Sequence, residues 1–380
     1  MKKITALLML LFLLLLSFAT GCSTDRDVNQ KSAESKTGEA NTLTEEVPGV
    51  RTITDMVGRK VEVPATINKI IGLGAGGLRF ICYLNETEKV VGVEEAELSK
   101  PVRRPYQLAF LELTELPSIG PAPHGDAELI AAHRPDVVLY LLPSDSDDLK
   151  PMEDLQNKTG IPVVMIRPSL TLYPSIDKFH ESLRFVGKLL GNQDRAEELI
   201  KYTEDVIADL KQRTKDIPED KIKKVYVGGK GMRGAQGILS TSPTYSAFEF
   251  INAKNVAAEL GTEHAFIDKE ALLQWDPEFI FIESFGFDLV LEDLKKPEYS
   301  TLTALKNNNL FRVFPKAQYG VNFETELVVS YFVGKMLYPE RFEDVDPVQK
   351  ADEIYSTFLN KPLYNELVKV WGGFEKVEIK

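Results

Sequence analysis

Short apolar runs punctuated by glycine and polar turns recur along the chain at spacings that predict strands alternating with helices. "TITDMVGRKVEVP" (residues 52–64) alternates apolar and polar positions about a glycine, the pattern of a β-hairpin. "KIIGLG" then predicts a buried strand, "GGLRFICYLN" a helix, and "KVVGVE", "PDVVLYL" and "IPVVMI" three more strands. Strands of five or six residues alternating with helices indicate a parallel α/β layer. After Lys221 the pattern restarts, with "KIKKVYVGG" as a strand, a glycine-rich loop and "AFEFINAKNVAAELG" as a helix. Two α/β lobes are therefore expected, over residues 50–173 and 221–380, with a helical segment over 174–220 between them.

Within that segment Ala196, Leu199, Ile200, Thr203, Val206, Ile207 and Leu210 fall at spacings of three and one, which is one face of a helix. Twenty-odd residues at about 1.5 Å each make a rod of roughly 30–35 Å. Glu197 precedes Lys201 by four positions and supports the exposed side. A continuous apolar stripe on a long connecting helix implies a stiff joint between the lobes.

One pattern is written twice. "DAELIAAHRPDVVLY" begins at Asp126 and "DKEALLQWDPEFIFI" at Asp268, each an acid, a glutamate two positions on, an apolar helical run, a proline and a strand. Asp126 and Asp268 are good N-caps, and Glu128 and Glu270 lie in the first turn, where the helix dipole favours them. Pro135 and Pro277 end the helices. Capping accounts for the aspartates. It does not require a glutamate at the same place in both lobes.

Composition narrows the setting. With 380 residues, 43% of them hydrophobic, the chain can bury more than one core. "MKKITALLMLLFLLLLSFATGCS" has two lysines, a short apolar run and small residues before Cys22, a leader over residues 1–21 rather than a membrane span. "ATGC" resembles the lipobox of bacterial lipoproteins, with alanine where leucine is usual, which would make Cys22 the lipidated first residue. Residues 22–49 are polar, without aromatics or period, as a disordered tether would be. Without Lys2 and Lys3, 43 basic residues face 57 acidic ones, a balance of −14 that excludes nucleic acid as a natural partner. Cys82 then has no intramolecular disulfide partner and reads as a small buried hydrophobe.

These motifs together resemble the class III substrate-binding proteins of ABC importers, from about Thr52 to the C-terminal helices. The resemblance implies two Rossmann-like lobes with central parallel sheets, joined by a single long rigid helix, with ligand held between the lobes. It implies a monomer, extracytoplasmic and held to the membrane only by its lipid, that catalyses nothing and needs no cofactor. Its partner would be an ABC permease dimer with its ATPase, onto which Glu128 and Glu270 would dock. The cargo expected is an iron chelate of siderophore type. Cobalamin, haem and a molybdate or tungstate oxyanion are the alternatives.

Gly72, Gly74 and Gly77 satisfy Gly-x-Gly-x-x-Gly after a strand, with Glu94 at the end of the next, so a nicotinamide-dependent oxidoreductase is the rival from another class. Export, the repeated halves and the lack of a paired acid–base constellation weigh against it. A direct metal cage is not expected either, because His124, His133, His180 and His264 are scattered without helical pairing. Loops at the C-terminal strand ends supply the expected ligand contacts. These are Arg103, Arg104, Tyr106 and His124 from the first lobe, and Arg233, Tyr245, Phe285 and Tyr319 from the second. Arginines and tyrosines facing each other would suit an anionic ligand or metal chelate carrying carboxylates or catecholates.

Overall fold

The hairpin forms as two strands, β1 (Val50–Thr54) and β2 (Lys60–Pro64), paired antiparallel with Val50 opposite Pro64. Asp55 closes the turn by accepting from the Val57 and Arg59 amides and from the Arg59 guanidinium. The computed structural model describes residues 49–143 and 146–379. The expected leader, the lipidation site Cys22 and the tether up to residue 48 lie outside the described residues.

The first lobe is built on β3 (Ile70–Leu73), β4 (Val137–Leu141) and β5 (Val163–Ile166), parallel in the order β3-β4-β5. Around them stand α1 (Gly77–Tyr83), α2 (Pro105–Ala109), α3 (Ala127–His133) and α4 (Lys150–Thr159). "KVVGVE" differs from expectation: it makes only isolated parallel bridges, Val90 to Ile70 and Val93 to Ser118. It pairs with one neighbour and then with the other, so neither ladder is long enough to be a strand.

Two helices follow, α5 (Ile176–Leu190) and α6 (Gln193–Thr214). The residues α6 buries are Ala196, Leu199, Ile200, Thr203, Val206, Ile207, Leu210 and Thr214. The second lobe opens with β6 (Lys224–Gly228), β7 (Ser240–Thr241), α7 (Ser246–Glu249), β8 (Lys254–Asn255), β9 (Ala265–Phe266) and α8 (Lys269–Trp275). It continues through β10 (Phe279–Glu283), α9 (Phe287–Leu294), α10 (Thr303–Lys306) and β11 (Leu310–Val313). The chain ends with α11 (Phe323–Leu337), α12 (Pro347–Leu359), α13 (Tyr364–Trp371) and β12 (Glu375–Lys376). The main sheet runs β12-β11-β10-β6-β8, all parallel except β12. The long helix expected over "AFEFINAKNVAAELG" breaks after α7. Asn252 adopts a left-handed φ of 53°, and Asn255 enters the sheet while its side-chain amide donates to the Ser242 and Pro243 carbonyls.

Alternate residues of the buried strands serve different cores, as the period of two requires. Ile71, Leu73, Val138 and Tyr140 face one cluster under α3 and α4. Tyr226, Ile280 and Ile282 face another in the second lobe. The remaining faces join a single core that crosses from lobe to lobe through α6, α11 and α12. At its centre Phe179 of α5 lies 4.3 Å from Phe323 of α11, and Tyr83 of α1 lies 5.2 Å from Phe358 of α12 (ring centroids). Because this core is common property, the lobes should not unfold separately. Phe323→Ala should cost about 3–5 kcal/mol. Denaturant unfolding followed by far-ultraviolet circular dichroism and by the fluorescence of Trp275 and Trp371 should still give one coincident transition. Two resolved transitions would contradict a shared core.

Candidate functional site

The C-terminal ends of the two parallel sheets meet between the lobes, the place where open α/β sheets collect their functional loops. On the first-lobe side the loop after β3 turns through Gly74, whose φ is 77°, and packs directly against the turn at Tyr319 and Gly320. A Cβ at Gly320 would stand 2.0 Å from the Ala75 carbonyl oxygen. Gly72 is equally constrained, since its Cβ would lie 2.6 Å from the Leu78 amide. The glycine motif thus serves close strand-to-helix and lobe-to-lobe packing. The turn beside the α1 N-terminus, where a dinucleotide pyrophosphate would sit, is filled by protein.

Charged side chains cross this contact. Arg79 of α1 is 1% exposed, and its guanidinium donates to Asn322 Oδ1 (3.0 Å) and to the carbonyls of Gln318 (3.2 Å) and Tyr319 (2.9 Å), all from the other lobe. The Tyr319 hydroxyl donates to Glu94 Oε2 at 2.6 Å, and the Gly74 amide donates to Glu94 Oε1. Tyr83 donates to the buried carboxylate of Glu324. Nearer the second sheet, Glu326 of α11 accepts from Thr171 Oγ1, the Leu172 amide and Ser246 Oγ.

The residues expected to touch ligand divide into groups. Arg104 is buried and committed: its guanidinium pairs with Glu97 at 2.6 Å and lies over the Tyr319 ring. Tyr106 is fully buried and donates to the same Glu97. Arg103 is exposed and lies over the Trp371 ring, and Phe285 meets the same indole edge-on. Arg233 is exposed on a residue with φ of 52°. His124 is exposed beside the Tyr140 ring. Glu128 and Glu270 are both exposed in the first turns of α3 and α8, whose N-caps Asp126 and Asp268 accept backbone amides as their positions require. Tyr245 is the member of the expected set that belongs to a different and more suggestive group.

That group surrounds the ends of β6, β10 and β11. Lys230, Glu283 and Lys316 follow or end these strands and are buried, with Tyr245 and Glu326 beside them and the half-buried Glu263 at the edge. Lys316 Nζ lies 3.5 Å from Glu326 Oε1 and 3.7 Å from Glu263 Oε2, and over the Tyr245 ring. Lys316 Nζ, Tyr245 OH, Glu263 Oε2 and Glu283 Oε1 are buried atoms with no hydrogen-bond partner. Buried polar atoms are nearly always paired, so four unpaired ones from one neighbourhood mark a place for a ligand or water. Burial pulls the Lys230 ammonium down to about 8, against the field of Glu283. Reading the sequence for arginine passed over both lysines. Their signal was a lysine in each strand-end loop, "GGKG" and "FPKAQYG".

Burial also pushes two carboxyls at the lobe contact up to about 7. For Glu94 the bonds from Tyr319 and Gly74 oppose the rise, and for Glu324 the Tyr83 bond and Arg79 do so. An unfolded glutamate titrates near 4.3. Each raised carboxyl therefore contributes stability that is complete below that value and lost as pH rises through about 7. The melting temperature should fall between about pH 5 and 8. Glu324→Gln keeps an acceptor for Tyr83 and should flatten that slope in thermal unfolding; an unchanged slope would acquit Glu324.

A family model described as "Periplasmic binding protein" matches residues 71–317. The chain is 26% identical over 326 residues to the molybdate-binding protein MolA of Haemophilus influenzae, covering 81% of this chain and 90% of that protein. It is 24% identical over 290 residues to YvrC of Bacillus subtilis, an uncharacterized ABC transporter substrate-binding lipoprotein, covering 74% and 83% respectively. The solved structure of MolA bound to molybdate superposes with a TM-score of 0.65 at 23% identity, over 82% of this chain and 98% of that one.

Proposed function

This chain belongs to the periplasmic binding protein family and is a substrate-binding protein of an ABC importer; from that premise we propose that its cargo is a small oxyanion held beside Lys230 and Lys316. One observation carries the reading: two buried donors without hydrogen-bond partners, Lys316 Nζ and Tyr245 OH, lie together at the strand ends between the lobes, with the buried Lys230 beside them. Charge-assisted bonds from such groups are the strong means of holding an anion out of water. The similarity to a molybdate-binding protein supports the same class of cargo. The protein delivers this solute without transforming it, anchored outside the membrane through Cys22. Among the described residues no helix is long and apolar enough to cross a membrane.

An iron chelate is the second reading. It is favoured by exposed apolar side chains flanking the same group: Leu170 and Tyr173 beside Thr171, Met232 after Lys230, and Phe266 against His264. Such a rim suits the organic part of a chelate. Against it stands the tight contact on the first-lobe side, where the cavity lined by Arg103, Gln318, Asn322 and Trp371 measures about 10 Å³. That is room for one water.

Calorimetric titration separates the readings. Molybdate or tungstate should bind the purified protein, and ferric chelates should not. Lys316→Ala and Lys230→Ala should each weaken binding by roughly ten- to a hundred-fold, the worth of about 1.5–3 kcal/mol for a bond to a charged group. Arg103→Ala and Arg233→Ala, being exposed, should leave it nearly unchanged. Loss of binding through the arginines, with the lysine variants intact, would overturn the assignment.

Glu128 and Glu270 remain the surfaces we assign to the permease. Reversing both to arginine should leave solute affinity intact and abolish uptake in cells, because a rim charge governs encounter with its partner rather than the distant cleft. Normal uptake by the double variant would reduce the repeated glutamates to ordinary first-turn residues.

A further inference from the structure

The ring around the unpaired atoms is not a simple anion site, because it also contains acceptors. Glu283 ends β10 between β6 and β11, is 1% exposed, and its Oε1 has no hydrogen-bond partner. From the loop after β6 Lys230 faces it, and from the segment after β11 comes Lys316. Glu326 of α11 and Glu263 before β9 flank Lys316, Tyr245 lies under its ammonium, and His264 is bonded to Ser240 at the base of the Lys230 loop. Counted as ionised, two lysines face three carboxylates, one net negative charge.

A fully deprotonated dianion would meet this ring badly. Its oxygens accept only, so they cannot satisfy Glu283 Oε1, and its charge would add to the surplus already buried there. Like charges at close range in a dry site are strongly unfavourable, and an acceptor facing an acceptor leaves both unpaired. One proton shared between an anion oxygen and Glu283 removes both faults, since it supplies the missing donor and cancels one charge. Lysines then bond the remaining anion oxygens.

We propose that this cluster binds its oxyanion together with one proton held between the anion and Glu283, so that Glu283 decides which protonation state of the cargo is accepted. The inference rests on the oxyanion reading above. An oxyanion that keeps a hydroxyl at neutral pH brings its own proton; molybdate, which does not, takes one from solvent as it binds.

The test is calorimetric titration of molybdate into the purified protein in buffers of different ionisation enthalpy, between about pH 5 and 6.5, where Lys230 stays charged. Wild type should take up about one proton per molybdate bound, with affinity falling roughly tenfold per pH unit, the slope of one linked proton. Glu283→Gln offers an amide N–H to the anion directly, so it should take up almost none and bind with a flat pH profile. Glu94 and Glu324 are untouched in that variant, so the difference isolates Glu283. Should Glu283→Gln not fold, Glu283→Ala, which removes the carboxyl altogether, should likewise abolish the proton uptake. Tight molybdate binding without proton uptake by wild type overturns the role of Glu283 and leaves the oxyanion reading standing. Failure of every oxyanion to bind, at any pH, takes both down.

Discussion

A guanidinium buried away from water must find its hydrogen bonds in protein, and Arg79 finds all of its described bonds in the opposite lobe. An unpaired buried charge would cost several kcal/mol, so the turn carrying Gln318, Tyr319 and Asn322 has to lie where it does. The same logic repeats at Tyr319 with Glu94 and at Thr171 with Glu326. These polar groups inside the junction are satisfied across it, by the other half of the molecule. The relative position of the two sheets is therefore fixed at their C-terminal ends, where function is assembled.

Apolar packing acts in the same sense from behind. α11 is buried on nearly all sides and carries Glu324 and Glu326 in its first turn, where the helix dipole favours carboxylates. It brings both acids to the junction while its body completes the core shared by the lobes. Once these demands are met, polar atoms of Lys316, Tyr245, Glu263 and Glu283 are left over together, and one oxygen of Glu324 apart from them. The proposed site is the larger group.

Much of this scaffold was legible in the chain. The alternating stretch became β1 and β2, the short apolar runs became β3, β4, β5, β6 and β10, and the aspartates of the repeated segment became N-caps because a carboxylate there has one obvious use. The stripe from Ala196 to Leu210 needs only local geometry, and those residues are buried in α6. Where two neighbours compete, local pattern fails, as in the stretch around Val90 and Val93 and in the helix interrupted at Asn252. The site was less legible, for a physical reason. Whether a cation is free depends on partners distant in sequence. Arg104 meets Glu97 within its own loop region and Arg79 meets residues some 240 positions away, whereas Lys316 has carboxylates only at ion-pair distance and makes no hydrogen bond. Spacing along the chain carries none of this, and a buried lysine is too rare to expect from sequence.

We place the cargo among the leftover polar atoms at the ends of β6, β10 and β11. A crystal of the protein grown with tungstate, with data collected at the tungsten edge, decides this. One anomalous peak should appear between the lobes, within hydrogen-bond reach of Lys316 Nζ and Tyr245 OH. A peak beside Arg103 or Arg233 instead, with the Lys316 neighbourhood holding only water, would contradict it.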